Sequence, residues 1–322
     1  MESITCQKKP TLLNLQPQKA TKALPLQLNK LTIYCCLSLL LLGQFLFAQE
    51  EVSDSLETWK HERKIGLLVN QSSFNNWLAG GTTNFSGTLN FDYKITYQDE
   101  AWLWTSTADI ALGFAKIDSE EFVKKTEDRL EINAQLERAS DKPWKWSSTF
   151  NLKTQNTPGY TFFENSNNTI ERIKSTGFFS PAYLRLGVGT SYRKSDTFTL
   201  QFEPLTARVI IVDKTFTQSI GLEETYFGVK QGETSRWEAG TSFAMQSKVT
   251  VLKNVFFSNK ISLFSNYLEE FKNIDLDYTG TLDMKVNDYL SAMIEVQLVY
   301  DDNALSDLQL RQVFGIAIAL PF

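Results

Sequence analysis

The last nine residues of the chain, FGIAIALPF from Phe314 to Phe322, alternate large apolar residues with small ones. A period of two places Phe314, Ile316, Ile318, Leu320 and Phe322 on one face of a β-strand. In a soluble domain, an unpaired strand this apolar would promote aggregation. A strand that closes a barrel in lipid has no free edge and needs an apolar outer face. The stretch therefore predicts the closing strand of an outer-membrane β-barrel.

The same alternation recurs through the chain upstream of this strand. Between residues 85 and 97, and again between 290 and 300, apolar residues take every second position. Between residues 274 and 286 they face away from Asp275, Asp277 and Asp283. Aromatic residues gather near the segment ends, as expected for the headgroup girdles of a membrane barrel. The fold class predicted is all-β, an antiparallel transmembrane β-barrel in the bacterial outer membrane.

Connection lengths give the strand count. Short links predict periplasmic turns and long links predict outer loops. The chain reaches 14 strands, the favoured count, if residues 64–70 form the first strand and residues 207–213 form a short one. It has 12 strands if residues 207–213 are a loop excursion. The predicted turns are 98–101, 139–143, 194–196 and 287–289, and the predicted outer loops are 71–84, 116–127 and 155–180.

The N-terminal part of the chain predicts export. Residues 31–47 are almost entirely apolar and follow three lysines, and Ala48 precedes a polar stretch. This pattern is typical of a signal peptide cleaved after Ala48. The domain organisation expected is therefore a signal peptide with a long n-region over residues 1–48, a polar periplasmic lead-in over residues 49–63, and the transmembrane barrel over residues 64–322.

Charge and composition exclude several functions. Residues 1–48 hold five lysines and one glutamate, so the 32 basic and 37 acidic residues fall to 27 and 36 in the mature chain, a net charge of −9. This balance argues against nucleic-acid binding, which needs a basic surface. All three cysteines lie in the leader, and His61 is the only histidine. Histidine-dependent catalysis and thiolate or multi-histidine metal sites therefore have no residues in the barrel, and we expect no enzyme and no cofactor.

Several segments of the chain resemble a known family. They are the sequence NQSSFNNWLAGG over residues 70–81, KNV over 253–255, FSNY over 264–267, NID over 273–275 and YDD over 300–302. The sequence is similar to the uncharacterised outer-membrane proteins grouped as domain-of-unknown-function family 3078, from about Lys64 to the end of the chain. At residues 203–207, EPLTA stands where that family has a Ser-Pro-Leu-type turn. The resemblance implies a bacterial outer-membrane setting and supplies no established activity.

The first long loop carries the most distinctive local motif. Its candidate functional residues are Phe74, Asn75, Asn76, Trp77, Gly80 and Gly81. The glycines permit a tight turn or an inward fold of the loop. The aromatic and amide side chains would then form a ligand contact or a lumen constriction. Alternatively, they pack the loop against the barrel mouth.

A second group of candidates lies on the inward parity of the strands or at a strand end: Arg185, Asp275, Asp277, Asp301 and Asp302. Paired carboxylates can bind a divalent cation or carry out acid–base chemistry, and residues 300–303 would be the place for a calcium ion. Carboxylates are also expected in any polar lumen, where lysines and arginines pair with them. We therefore predict lumen contacts and no resident metal.

Two functions fit a barrel of this kind. A passive pore or small-solute uptake channel would use a lumen of mixed charge, and the acidic late strands predict a mild cation preference. The alternative is a closed structural or partner-binding barrel in which acids and bases lock into a satisfied network. The partners expected are outer-membrane lipid and, through the C-terminal strand ending at Phe322, the barrel-assembly machinery.

Overall fold

Twelve antiparallel strands close into a barrel in the computed structural model, which describes residues 59–73, 82–138, 142–195, 197–218, 220–221, 224–269 and 271–321. The barrel strands are β1 (Trp59–Ser72), β2 (Asn84–Gln98), β3 (Trp102–Ile117), β4 (Lys124–Arg138), β5 (Trp144–Thr154), β8 (Ala182–Ser195), β9 (Phe198–Ile211), β12 (Ser235–Leu252), β13 (Val255–Asn266), β14 (Ile274–Lys285), β15 (Leu290–Asp301) and β16 (Leu305–Pro321). Two short hairpins, β6 (Gly159–Glu164) with β7 (Ile170–Thr176) and β10 (Thr225–Tyr226) with β11 (Val229–Lys230), stand apart from it, as does the helix α1 (Lys214–Thr217).

The last strand closes the barrel as its alternation predicts. β16 pairs antiparallel with β1 from Lys64 opposite Pro321 to Val69 opposite Ile316. On its other side it pairs with β15, with Leu290 opposite Ile318. Each remaining barrel strand pairs with the next barrel strand along the chain. The predicted all-β transmembrane barrel is confirmed.

The strand count of 14 is wrong, and the alternative of 12 is correct. Residues 207–211, predicted as the body of a separate short strand, are the second half of β9. The two halves are joined by a β-bulge at Pro204, where the pairing with β12 shifts between Gly240 and Ser242. A proline has no N–H for the sheet ladder, so a bulge admits it without ending the strand.

The first strand starts earlier than the sequence predicts. β1 begins at Trp59, so residues 59–63 of the expected lead-in belong to a strand. They pair with β2 from Trp59 opposite Tyr97 to Arg63 opposite Tyr93. His61 lies here, and its Nδ1 is 2.8 Å from the Tyr93 hydroxyl. The Trp59 and Tyr97 rings lie 4.6 Å apart across this pairing, and cross-strand aromatic contacts of this kind stabilise a sheet.

The outer face of the barrel is apolar. Leu89, Leu186, Phe314, Ile316 and Ile318 are each between 45% and 61% exposed, which places large hydrophobic side chains outside the barrel. Exposed aromatic residues flank the short turns, namely Trp59, Trp102, Trp104, Trp144, Trp146 and Tyr289. Trp237 and Tyr267 are exposed near the other end. An apolar band between two aromatic girdles is the surface that a bilayer requires.

Short turns join the strands at one end, as predicted, and longer loops make all but one of the connections at the other. The turn after β2 is fixed by Asp99, whose Oδ1 accepts hydrogen bonds of 2.7 Å from the backbone N–H groups of Ala101 and Trp102. The Trp102 and Ala101 amides stabilise the charged carboxylate and hold the pKa of Asp99 below its usual value. The connection between β15 and β16 is the shortest of the outer loops.

Two outer loops form a small folded cap. The Phe216 and Tyr226 rings stack at 5.3 Å, and the Tyr226 hydroxyl donates to the Ser175 carbonyl at 2.5 Å. Val212 and Val229 are buried beneath them with Ile210 of β9. Burial raises the pKa of Tyr226 to about 12. The described part of the chain holds no helix that is long and apolar enough to cross a membrane.

Candidate functional site at the lumen and outer mouth

Arginine 208 is the central charge at the outer mouth. It lies on β9, is only 9% exposed, and forms ion pairs with Glu238 and, at 2.6 Å, with Asp275. Its guanidinium also lies 4.2 Å above the Phe264 ring. Arg236 completes the network by pairing with Glu238 at 2.9 Å and with Glu269. Three strands, β9, β12 and β14, are thereby connected on their inner faces.

Three of the predicted carboxylates meet beside this network. One oxygen each of Asp275, Asp301 and Asp302 lie within 4.8 Å of one another. This confirms only that the three are neighbours. Arg208 already supplies a positive charge to Asp275.

A cavity of about 270 Å³ opens at the same place. Its walls come from β9, β13, β14 and the loops next to them. They carry one guanidinium, three carboxylates and three amides: Arg208, Glu269, Asp275, Asp302, Asn266, Asn273 and Asn303. Because every lining residue is polar or charged, the cavity suits a hydrophilic solute better than an apolar one.

Further inside, ion pairs cross the lumen. Lys153 on β5 lies 2.6 Å from Asp277 on β14, although four barrel strands separate β5 from β14 along the shorter path. Gln297 on β15 donates to the other Asp277 oxygen at 2.9 Å. A lysine and an aspartate can meet in this way only where the two walls lie within the joint reach of their side chains. The contact therefore narrows the lumen.

A second crossing lies between β16 and β4, which are separated by β1, β2 and β3. Arg311 on β16 pairs with Glu127 on β4 and, at 2.8 Å, with Glu295 on the neighbouring β15. Arg185 on β8 reaches Ser262 on β13 at 3.1 Å, across β9 and β12. The lumen is thus bridged from three directions by charged side chains.

Glu203 is a buried residue on the inner wall that connects neighbouring strands by hydrogen bonds. It is 2% exposed, and its carboxylate accepts hydrogen bonds of 2.5 Å from the hydroxyls of Thr149 and Ser242. The side chain lies across Gly187, where an added Cβ would come within 2.1 Å of Glu203 Oε2. A glycine at this position therefore lets one glutamate connect β5, β9 and β12.

The predicted site residues fall into two groups. Arg185, Asp275, Asp277, Asp301 and Asp302 lie on the inner wall or at the mouth, but the structure does not gather all five at one point. The loop residues Phe74, Asn75, Asn76, Trp77, Gly80 and Gly81 lie outside the described residues.

The sequence analysis did not name as site residues the charged side chains whose contacts cross the lumen or connect its inner wall. Lys153, Arg208, Arg311 and Glu203 carry most of the contacts, yet they were not among the candidates. Each lies on the inward parity of its strand, so parity alone would have placed them in the lumen. Which of them meet depends on the shape of the closed barrel.

Part of the chain matches a known family. Residues 69–160 match the family described as "Protein of unknown function (DUF3078)". This confirms the resemblance for the segment that begins with the end of β1 and runs into β6. A comparison with curated proteins finds no match.

Solved structures with a similar strand arrangement include three bacterial barrels. The translocator domain of the autotransporter NalP from Neisseria meningitidis is 8% identical, with 90% of this chain and 97% of that chain covered and a TM-score of 0.36. The COG4313 outer membrane channel from Pseudomonas putida F1 is 6% identical, with 84% and 99% covered and a TM-score of 0.37. The KdgM porin is 9% identical, with 80% and 98% covered and a TM-score of 0.30. No substrate or residue role is transferred from them.

The closed sheet, the apolar outer face and the charged lumen belong to one architecture. Only a barrel without free edges satisfies its backbone in lipid, and barrels of this kind are built into bacterial outer membranes. The protein is an outer-membrane β-barrel in contact with membrane lipid.

Proposed function

We propose that the protein is a narrow channel through which small polar solutes cross the outer membrane. The observation that carries the proposal is that the ion pairs across the lumen are partly exposed to solvent. The side chains of Lys153, Asp277 and Arg311 are 39%, 32% and 32% exposed although they lie inside the barrel. Solvent therefore reaches the middle of the lumen around these pairs. A polar constriction that stays hydrated is the usual form of a selective channel.

The charge of the mouth supports a preference among solutes. Arg208 and Arg236 face a larger number of carboxylates, namely Glu238, Glu269, Asp275, Asp301 and Asp302. A cleft with one dominant sign of charge concentrates counter-ions. We therefore expect potassium to pass more readily than chloride.

Conductance in a planar bilayer tests both points. Mature protein is purified from the outer-membrane fraction, and a heat-shifted gel band serves as the folding control. We expect small, discrete and reproducible current steps. Under a potassium chloride gradient, the zero-current potential should have the sign of cation selectivity. Anion selectivity would contradict the charge argument, and a folded but silent barrel would contradict the channel.

A closed, partner-binding barrel is the second candidate. Two observations favour it. Two ion pairs and the hydrogen bond from Arg185 to Ser262 bridge the lumen, and Phe163, Ile173 and nearby Phe178 at the outer hairpin are 39%, 61% and 66% exposed. Apolar side chains on an ordered outer loop are typical of a binding surface. A folded barrel that does not conduct would favour partner binding at this surface as the function.

We also propose that the barrel-assembly machinery recognises the C-terminal strand that ends at Phe322, and that residues 1–48 are removed during export. Support for both comes from the sequence, namely the alternation of residues 314–322 and the apolar run of residues 31–47. Mass spectrometry of the purified barrel is expected to find Gln49 at its N-terminus.

A further inference from the structure

The mouth cavity offers hydrogen-bonding groups that the protein itself leaves unused. Among the described residues, the side-chain amides of Asn273 and Asn303 and the carboxylate of Asp302 have no hydrogen bond or ion pair. Asn266 uses only its Oδ1, which accepts from the Leu268 backbone N–H at 3.0 Å. Arg208 is nine-tenths buried. Its guanidinium is ion-paired with Glu238 and, through Nη2, with Asp275 at 2.6 Å, so the unused groups are the amides and Asp302. The cavity therefore presents free donors and free acceptors side by side.

This mixture of groups restricts the class of ligand. An amide offers two N–H donors and one acceptor oxygen, a carboxylate only accepts, and a guanidinium only donates. A solute that satisfies this wall must both donate and accept at several neighbouring positions. Adjacent hydroxyl groups do so, because each hydroxyl donates one hydrogen bond and accepts others.

Charged solutes fit this cavity less well. An ammonium group only donates, so it would pair with Asp302 or Glu269 and leave the amide N–H groups without an acceptor. An anion would meet three lining carboxylates and a single guanidinium, Arg208. An uncharged polyol avoids both penalties, and its hydroxyls gain the stronger hydrogen bonds that ionised carboxylates accept.

The volume sets the size of the solute. The cavity has a volume of about 270 Å³ and opens to solvent at the mouth. That space suits one sugar ring with its hydroxyl groups and excludes a longer oligomer from lying wholly inside.

We propose that the outer-mouth cavity, at the junction of β9, β13, β14 and the β15–β16 turn, binds a small uncharged polyhydroxylated solute of monosaccharide size. The proposal deepens the proposed channel function, on which it rests, by naming the solute class that the channel receives. Binding at this cavity precedes passage past the Lys153–Asp277 crossing.

Binding is measured apart from conduction. Refolded protein in detergent is examined by saturation-transfer NMR and calorimetric titration with D-glucose, D-galactose, D-mannose and myo-inositol. Putrescine and acetate serve as charged counterparts. We expect saturable binding of at least one of the four polyols and none of putrescine or acetate.

The variant that tests the cavity is Asp302→Asn combined with Asn303→Ala. The turn keeps its own hydrogen bonds, because these join the Ala304 N–H to the Asp301 carbonyl and the Asn303 N–H to Asp301 Oδ1. Polyol affinity should fall about tenfold or more, since the Asn303 amide is removed and the ionised acceptor of Asp302 becomes a neutral amide. Asp118→Asn, in the exposed β3–β4 loop, is the control and should bind as the wild type does.

The outcomes separate this inference from the channel. Polyol binding that the double variant leaves unchanged, binding of putrescine alone, or no polyol binding would each overturn the inference, whatever the conductance. Polyol binding that the double variant abolishes, in a barrel that never conducts, would uphold the cavity and overturn the channel.

Discussion

Replacing Lys153 and Arg311 together by alanine should raise the single-channel conductance several-fold. These two residues supply the positive ends of the two ion pairs that bridge the lumen, to Asp277 and to Glu127. Truncation to alanine removes the long side chains that cross the lumen and leaves the shorter carboxylates at the wall. The remaining Asp277, Glu127 and Glu295 should also shift the selectivity further toward cations.

The barrel should tolerate this change. Lys153, Asp277 and Arg311 are about one-third exposed to solvent and Glu127 is 12% exposed, and solvated pairs stabilise a protein by only about 0–1 kcal/mol each. The strand ladders and the apolar outer face hold the fold, so the heat-shifted band should persist. A gain in current without a loss of folded protein is the expected combination.

Two controls isolate the effect of the crossing. Lys124→Ala removes an ion pair with Glu120 that lies at the outer loop and should leave the current unchanged. Exchanging the charges in the wild type, Lys153→Asp with Asp277→Lys, keeps an ion pair across the lumen. The conductance of this variant should therefore be close to that of the wild type and below that of the alanine double variant. If the alanine double variant conducts as the wild type does, these pairs are not the constriction.

The outer face of the barrel could be read from the sequence because a strand in lipid must alternate. Ile274, Leu276 and Tyr278 face away from Asp275 and Asp277, and the structure places both carboxylates on the inner wall. The same rule identified the closing strand, because residues 314–322 place five large apolar side chains on one face, as a strand that faces lipid requires.

The contacts across the lumen could not be predicted in this way. Alternation says which residues face inward, but not which of them meet, because that depends on how the closed sheet is staggered and flattened. Lys153 and Asp277 are 124 residues apart and belong to strands that never pair. Parity put both inside the barrel, and only the structure shows them in contact.

The error in strand count has a local cause. Pro204 ends the regular alternation of β9, so the two halves of the strand look like separate segments in the sequence. The β-bulge shifts the inward-facing positions by one residue. Glu203 before it and Thr206 and Arg208 after it are all buried. A bulge changes the register by one residue, and a sequence pattern cannot distinguish it from a turn.

Gly189→Val should prevent the barrel from folding, because this glycine faces the bulge directly. The β8–β9 register shifts between Val188 and Thr190, and a Cβ at position 189 would lie 2.0 Å from the Phe202 carbonyl oxygen. The neighbouring atoms belong to the backbone, so no side-chain rotation can relieve the clash. Even Gly189→Ala should cost roughly 1–3 kcal/mol or more, as overpacking does elsewhere.

Refolding into lipid vesicles measures this effect, with the heat-shifted band and the urea midpoint as readouts. Gly66→Ala is the matched control, since its Cβ would meet Asn90 Cβ at 3.8 Å and the Ile318 oxygen at 3.9 Å, which are ordinary contacts. We expect no folded band for Gly189→Val, a lowered midpoint for Gly189→Ala and an unchanged one for Gly66→Ala. Wild-type folding of Gly189→Val would mean that β9 does not carry the bulge, and the count of twelve strands would lose its explanation.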